Sequence, residues 1–476
     1  MSVRQSLAWN YGTHLLVFVA TFGSTIIVSR LLTPHELGIF GVGIAISGIL
    51  GTISFFGVAN YLIRENELSA QTIATGFTVN AILSLAVGII LWCLGTVGQS
   101  LFSGAAIPRV LRFLALVPVI GIFEFLPATL LTRDMRFGPT ALLQLGKATI
   151  SAAAVICFAY AGWSYLSPAI GAVMGAACGA LGYSIVGWRH VSVRLSFKGG
   201  GAFAVFAVQM ISAGGVSILA SRIADLIVAH LLGLSALGLY TRASGLAAMV
   251  WEGAYGLSTR VIYIQMAAEL RERGSLKETF LRATKLLTAI MWPVMGGIAV
   301  LSSPIVHILY GPKWGGAALP LAILMVGQFI AMGFAMNWEL CVLTNRTAWQ
   351  ARTEMARATI GLAVFVVGAT LSLSAAAVGR VIDALVGYMI YRPKMAEMAR
   401  ATPADVREAY SGSLLLTVVG IGPAVGLMVF SGWSQSTPIE QLAAAIAAGG
   451  ALWVFVLYAT RHPLFDEVRL LVRRMQ

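Results

Sequence analysis

The chain has 476 residues, of which 58% are apolar and only 11% charged, with a formal net charge of +13. Against the usual charged share of ~25%, and with a mean hydropathy of +0.85, a water-soluble fold of this size is excluded. The positive balance does not indicate nucleic acid as a partner, because the sequence contains no independent soluble module to bind it.

About fourteen apolar blocks follow one another, over 9–31, 36–59, 71–96, 109–131, 139–161, 165–187, 207–232, 236–264, 285–307, 316–342, 354–373, 375–391, 411–431 and 439–460. A membrane-spanning helix needs roughly 20 predominantly apolar residues. The expected fold is an all-α polytopic membrane protein with about 14 transmembrane helices. The first block is of full membrane length and lacks a small-x-small exit, so it reads as a span rather than a cleavable leader. In the sixth block Gly171, Gly175 and Gly179 recur every four residues, with Gly182 close by, a row that lets another helix approach closely. Cys93, Cys157, Cys178 and Cys341 all fall inside apolar blocks without metal-ligand spacing, and read as small buried apolar residues rather than disulfides.

The longest polar connections are roughly 188–206, 265–284 and 392–410. The second reads as a short amphipathic helix or pair of turns at the interface. The third holds Thr402, Pro403 and Asp405, the N-cap and first-turn residues of a surface helix. None of the expected outer loops is long enough to form a catalytic domain. No metal cluster, phosphate-gripping Gly-rich loop or nucleophilic triad stands out, so no cofactor and no enzymatic activity are expected. No ATP-hydrolysing domain stands out either, so any work across the membrane would draw on an ion gradient, the membrane potential or substrate flux.

Basic residues sort by gap. With both termini inside, the inner gaps and tails hold 23 of the 32 lysines and arginines, and Arg30, Arg109, Arg112 and Lys313 are the four on the outer side. That asymmetry predicts a multi-pass protein with both termini cytoplasmic. The net charge then reflects topology, with anionic bilayer lipids as neighbours.

The chain also repeats itself. IIVSRLLTPHELGIF at 26–40 aligns without gaps to LIVAHLLGLSALGLY at 226–240, matching Leu31, Leu32, Leu37 and Gly38 to Leu231, Leu232, Leu237 and Gly238. LFSGAAIPRVLRFLAL at 101–116 similarly echoes LYGPKWGGAALPLAIL at 309–324. The expectation is two pseudo-symmetric six-helix lobes, 1–190 and 191–392, followed by two further helices and a tail over 393–476. Parallel halves of this kind face each other across a cavity in many transporters.

Charges inside the apolar blocks need water, a partner or an interface, because they are costly in lipid. Arg222 and Asp225 stand three residues apart in the seventh block, and Arg380 and Asp383 repeat the spacing in the twelfth. These pairs, with Glu252, are the candidates for gating or ion coupling. An internal structural pair is the alternative, since Arg and Asp neutralise each other. Arg242 and Arg260 are 18 residues apart in the eighth block. On one continuous helix they would share a face, ~27 Å apart along the axis. With Arg30 at the outer end of the first helix, they are the candidates for binding an anionic substrate. Snorkelling anchors are the alternative. His14, Glu124, Lys147 and Glu339 are weaker cavity candidates.

SLAWNYG at 6–12 with SRLLTPHELGIFGVG at 29–43, LTRDMRF at 131–137 and ADLIVAHLLGLSALGLY at 224–240 together resemble the polysaccharide exporter, or oligosaccharide flippase, family. That family lies within the multidrug/oligosaccharidyl-lipid/polysaccharide exporter superfamily. The resemblance runs over essentially the whole chain. It implies movement of an undecaprenyl-diphosphate-linked oligosaccharide across a bacterial inner membrane, for lipopolysaccharide, capsule or exopolysaccharide synthesis. It also implies a polysaccharide polymerase and a chain-length regulator as pathway partners. Arginines suit a diphosphate because their donors engage phosphate oxygens bidentately. A lipid II flippase and a cation-coupled multidrug exporter are rivals within the superfamily. A membrane polysaccharide polymerase or glycosyltransferase is the rival of another class, disfavoured by the short loops.

Overall fold

A computed structural model describes residues 3–465 apart from 56, 66, 99–101, 103, 189–193, 199, 202 and 204–214, and leaves the side chains of some further residues, among them His14 and Arg260, undescribed. The described residues form helices and turns without a strand, and the described part of each of the fourteen apolar blocks is largely helical. Eleven helical segments among the described residues are long and apolar enough to cross a membrane. The chain divides into two compact units, Met1–Gly238 and Leu239–Gln476.

In the first unit α1 (Val3–Leu31) and α2 (Pro34–Phe55) are joined by a turn that the sequence caps locally. The Glu36 carboxylate accepts from the Thr33 N–H at 2.7 Å, and the Thr33 hydroxyl accepts from the Glu36 N–H at 3.3 Å. With Pro34 filling the position whose N–H would be orphaned, helix α2 starts where its backbone donors are satisfied. There follow α3 (Val58–Arg64), α4 (Ala70–Val97), α5 (Ala106–Arg133), α6 (Phe137–Tyr160), α7 (Ser167–Val186), α8 (Val216–Leu232) and the start of α9 (Leu234–Trp251). Helices α4, α5 and α7 pack in series, α6 lies against both α1 and α7, and α2 lies against α8.

The glycine row on α7 makes the approach expected of it. Gly171 faces Val155 and the Ser151 carbonyl, Gly175 faces Ser151, and Gly179 faces Lys147 on α6. The contacts step by four residues on both helices in opposite directions, as antiparallel small-residue packing requires. The repeated turn shows a closer contact still. A Cβ on Gly38 would stand 1.8 Å from the Leu234 carbonyl oxygen, and one on Gly238 would stand 1.9 Å from that of Pro34. The two copies of the motif, 200 residues apart, therefore cross backbone to backbone, each glycine admitting the other helix start.

In the second unit α9 continues through a π turn, Glu252–Gly256, into α10 (Leu257–Arg273). Gly274 ends that helix in the left-handed conformation, φ 63°. The Glu269 carboxylate then accepts from the N–H groups of Glu278 and Thr279, at 3.1 and 2.8 Å, satisfying the first turn of α11 (Lys277–Val300). The segment 265–284 is thus the meeting of two long helices, not a separate interfacial helix. Next come α12 (Ser302–Tyr310), a 3₁₀ turn (Pro312–Ala317), α13 (Ala318–Met332), α14 (Asn337–Leu343), α15 (Thr347–Leu371), α16 (Leu373–Ala399), α17 (Pro403–Phe430) and α18 (Ile439–Ala459). Thr402 and Asp405 form the expected capping box, but the helix they open is the spanning helix α17 itself. Several basic residues placed in gaps by the apolar pattern, including Lys285, Arg352, Arg357, Arg392 and Lys394, lie inside these longer helices. The cysteines also differ from expectation. Cys341 alone is buried, while Cys93 and Cys157 are exposed and Cys178 is half-buried.

Helices α13 and α14 are one span broken at residues 333–336, where Met336 has φ 64°. A break in lipid leaves backbone groups that must find partners inside the protein. The Tyr410 hydroxyl donates to the Gly333 carbonyl at 2.5 Å, and the Tyr255 hydroxyl accepts from the Met336 N–H at 2.8 Å. Tyr410→Phe, which leaves that carbonyl unsatisfied, is expected to cost about 1–3 kcal/mol, read as a lowered unfolding midpoint in detergent micelles.

Candidate functional site

In the first unit, Arg30 sits exposed in the last turn of α1, where a cation complements the helix C-terminus. Arg222 and Asp225 pair as their spacing predicts, with Nη1 and Oδ2 3.4 Å apart and Asp225 buried. Helix α2 admits this pair through Gly48, where a Cβ would come within 2.8 Å of Arg222 Nε. A second pair, from residues that were only weak candidates, spans α5 and α6: Lys147 Nζ lies 2.8 Å from both oxygens of Glu124. Gly179 of α7 leaves room for it, since a Cβ there would stand 2.5 Å from Glu124 Oε2. The three positions lie on three helices, so no local spacing could have joined them.

In the second unit, Arg242 lies on α9 with its guanidinium carbon 5.8 Å from the centre of the Trp314 ring, and Tyr310 packs 6.2 Å from the same tryptophan. Its Nε is buried without a hydrogen-bond partner. Glu252 is exposed in the π turn. Arg260 follows in α10, with its side chain outside the described residues. A π turn accommodates one more residue than an α turn, so the helical phase slips by about 100° between Arg242 and Arg260. The shared face inferred from an 18-residue spacing on a continuous helix therefore does not hold.

Asp383 lies within the electrostatic influence of Arg380, as their spacing suggested, but its hydrogen-bonded partner is another arginine. Asp383 Oδ2 lies 2.8 Å from Arg357 Nη1 of the neighbouring helix α15. The Arg380 guanidinium instead stacks over Phe365, 5.0 Å from the ring centre. An i,i+3 spacing brings two residues to one helix face, but a planar guanidinium on the next helix offers Asp383 better geometry. Arg357 also holds Glu354 through two donors, at 2.5 and 3.2 Å, and Tyr391 donates to Glu354 at 3.1 Å. This network of Glu354, Arg357, Asp383 and Tyr391 is the most developed ionic cluster among the described residues. Sequence reasoning missed Arg357 because it stands at the start of the block at 354–373 and was counted with the basic residues of the inner gap. The signal was the Glu354–Arg357 spacing, which already belongs to a helix that starts at Thr347.

Glu339 is buried in α14, with each carboxylate oxygen 3.3 Å from the Tyr255 hydroxyl. The described residues include no group of three or more His, Cys, Asp or Glu suited to a metal ion. What the site residues offer is guanidinium donors and exchangeable carboxylates set within apolar helices.

Residues 27–319 match the model of a family described as polysaccharide biosynthesis protein. Among curated relatives, the chain is 22% identical over 349 residues to the succinoglycan biosynthesis transport protein ExoT of Rhizobium meliloti, covering 69% of this chain and 67% of that one. It is 20% identical to the lipopolysaccharide biosynthesis protein WzxC of Escherichia coli, covering 63% and 61%, and 21% identical to the teichuronic acid biosynthesis protein TuaB of Bacillus subtilis, covering 84% and 83%. Among solved structures, the lipid II flippase MurJ in an inward closed conformation superposes with a TM-score of 0.70, at 13% identity, over 96% of this chain and 99% of that one. That likeness establishes a shared fold.

Proposed function

This chain belongs to the polysaccharide biosynthesis protein family, and from that membership we propose that it flips lipid-linked oligosaccharide units between the leaflets of a bacterial membrane. It is a polytopic membrane transporter of the multidrug/oligosaccharidyl-lipid/polysaccharide exporter superfamily, not an enzyme. The finer reading is transfer of an undecaprenyl-diphosphate-linked glycan from the cytoplasmic to the periplasmic leaflet of the inner membrane, by two six-helix repeats with both chain termini cytoplasmic. The family match across residues 27–319 supports the coarser reading, from which the finer one is proposed.

The charges support it. Arg222 and Lys147 are matched by carboxylates on the same or a neighbouring helix. Arg242 instead keeps a buried Nε with no hydrogen-bond partner. A guanidinium with an unspent donor is suited to a diphosphate, which accepts several charge-assisted hydrogen bonds. Arg30 and Arg260 remain the companion candidates at other depths. Glu252, the Arg222–Asp225 pair and the Arg380/Asp383/Arg357 group are the candidates for gating or ion coupling. The polymerase and chain-length regulator are proposed pathway partners that would act on the glycan after it crosses.

The test is leaflet translocation of defined undecaprenyl-diphosphate oligosaccharides by the purified protein in liposomes. Wild-type protein is expected to expose the glycan on the far side. Arg242→Ala is expected to slow this roughly tenfold or more, the loss that accompanies a charged hydrogen bond. Normal rates in Arg30→Ala, Arg242→Ala and Arg260→Ala would remove the arginine assignments and leave the activity. Transport of lipid II or of a cationic drug in place of these glycans would overturn the reading.

A further inference from the structure

We propose that Glu339 is a proton-binding site whose occupancy sets the geometry of the broken span α13–α14. It rests on the transport reading only for its purpose, which is to couple a proton to the conformational cycle. Glu339 lies three residues beyond Met336, the left-handed residue that ends the break. Tyr255 joins the two: its hydroxyl faces both oxygens of Glu339 at 3.3 Å and accepts the Met336 N–H at 2.8 Å. Tyr255 itself stands in the π turn Glu252–Gly256. A π turn and a broken helix, each a place where backbone hydrogen bonding can be rearranged, thus meet at one phenol.

Among the described residues Glu339 forms no ion pair; α10 also packs on α14, through Tyr263 against Trp338, and there the Arg260 side chain lies outside the described residues, while the groups on α15 and α16 are placed as follows. On α15, Arg357 holds Glu354 and Asp383, and Arg352 is exposed. On α16, Lys394 pairs with Glu397, as does Arg346 at the start of α15, while Arg380 stacks on Phe365 and Arg392 on Tyr410. Tyr391 donates to Glu354, and Tyr388 packs on Gly333. Cys341 is buried in the same short helix, and Glu252 of the π turn is exposed. A charged carboxylate is costly to bury without a cation. Proton binding offsets that cost, and access of water to Glu339 permits release.

Hydronium in the water gives up the proton, one of its O–H bonds breaking as the carboxyl O–H forms, and release to water reverses both changes. With Glu339 ionised, the Tyr255 O–H points to the carboxylate, and the polarised phenol oxygen holds the Met336 N–H more firmly. With Glu339 neutral, its own O–H competes for that phenol oxygen and the clamp on the break loosens. Proton binding is thereby converted into a change at the hinge.

The test is amide hydrogen exchange over residues 333–340, in lipid nanodiscs without substrate, for wild type and Glu339→Gln side by side across pH. The glutamine keeps size and hydrogen bonding but cannot titrate. The wild-type-to-variant ratio is expected to change several-fold across a single pH step. Tyr255→Phe, which removes the Met336 acceptor, is expected to raise exchange roughly fivefold at every pH and to abolish the step. A constant ratio between wild type and Glu339→Gln would overturn the site, as would a full step in Tyr255→Phe. Failure of glycan translocation in liposomes with the step intact would overturn the transport reading alone, and the reverse result would overturn the proton site alone.

Discussion

Arg357→Leu is expected to destabilise the protein by about 3–5 kcal/mol, the cost of removing one partner from a buried ion pair. The guanidinium hydrogen-bonds Asp383 at 2.8 Å and binds Glu354 through two donors. All three side chains are well shielded, with exposures of 17% for Arg357, 23% for Glu354 and 15% for Asp383, so solvent screening removes little of the effect. Without the arginine, two carboxylates share one apolar interface between α15 and α16, where burial penalises their charge and mutual repulsion adds to it. The triple variant Arg357→Leu, Glu354→Gln, Asp383→Asn, which removes the orphaned charges, is expected to recover most of the loss. Equilibrium unfolding in mixed micelles reads both. A triple variant no more stable than Arg357→Leu would show that packing, not charge, accounts for the cost.

Gly38→Ala, and equally Gly238→Ala, is expected to cost about 3 kcal/mol, at the upper end for overpacking. The added methyl would stand 1.8 Å from the Leu234 carbonyl oxygen in the first case and 1.9 Å from that of Pro34 in the second. A side chain in the way can change rotamer, but here the obstacle is the backbone at a helix start, and relief requires the helices to part. Gly23→Ala is the control: it has open space around its Cβ position, and alanine is the better helix former by about 1 kcal/mol. The expected order of unfolding midpoints is Gly23→Ala at or above wild type, with both turn variants well below. Midpoints for Gly38→Ala and Gly238→Ala equal to wild type would mean that the two turn motifs do not cross as described.

These examples divide by the distance over which the deciding interaction acts. The apolar blocks, the Thr402 cap, the small-residue row on α7 and the Arg222–Asp225 pair all depend on spacing within one helix. Each was legible in the sequence, and each is present in the structure. The gapless repeat of the turn motif was legible too, although nothing in it indicated that Gly38 and Gly238 meet across two backbones. The fold class was therefore set by hydropathy period and length, since lipid admits few alternatives to a helix with its backbone satisfied internally.

Between helices, tertiary structure alone decided which charges face each other. Asp383 has a potential partner one turn away on its own helix, yet it binds Arg357, because packing of α15 on α16 presents a fork of donors at the right depth. The π turn at Glu252–Gly256 has no composition that announces it, and it cancels a phase relation between Arg242 and Arg260 that counting residues had implied. The break at 333–336 is likewise held from outside, by Tyr410 and Tyr255, whose hydroxyls replace the bonds the span gives up. Local sequence determined where this protein must be helical and apolar, because those demands are met residue by residue within each span. Its polar interior was decided in three dimensions, because a buried charge or an open backbone group takes whichever partner the packing of other helices brings within reach.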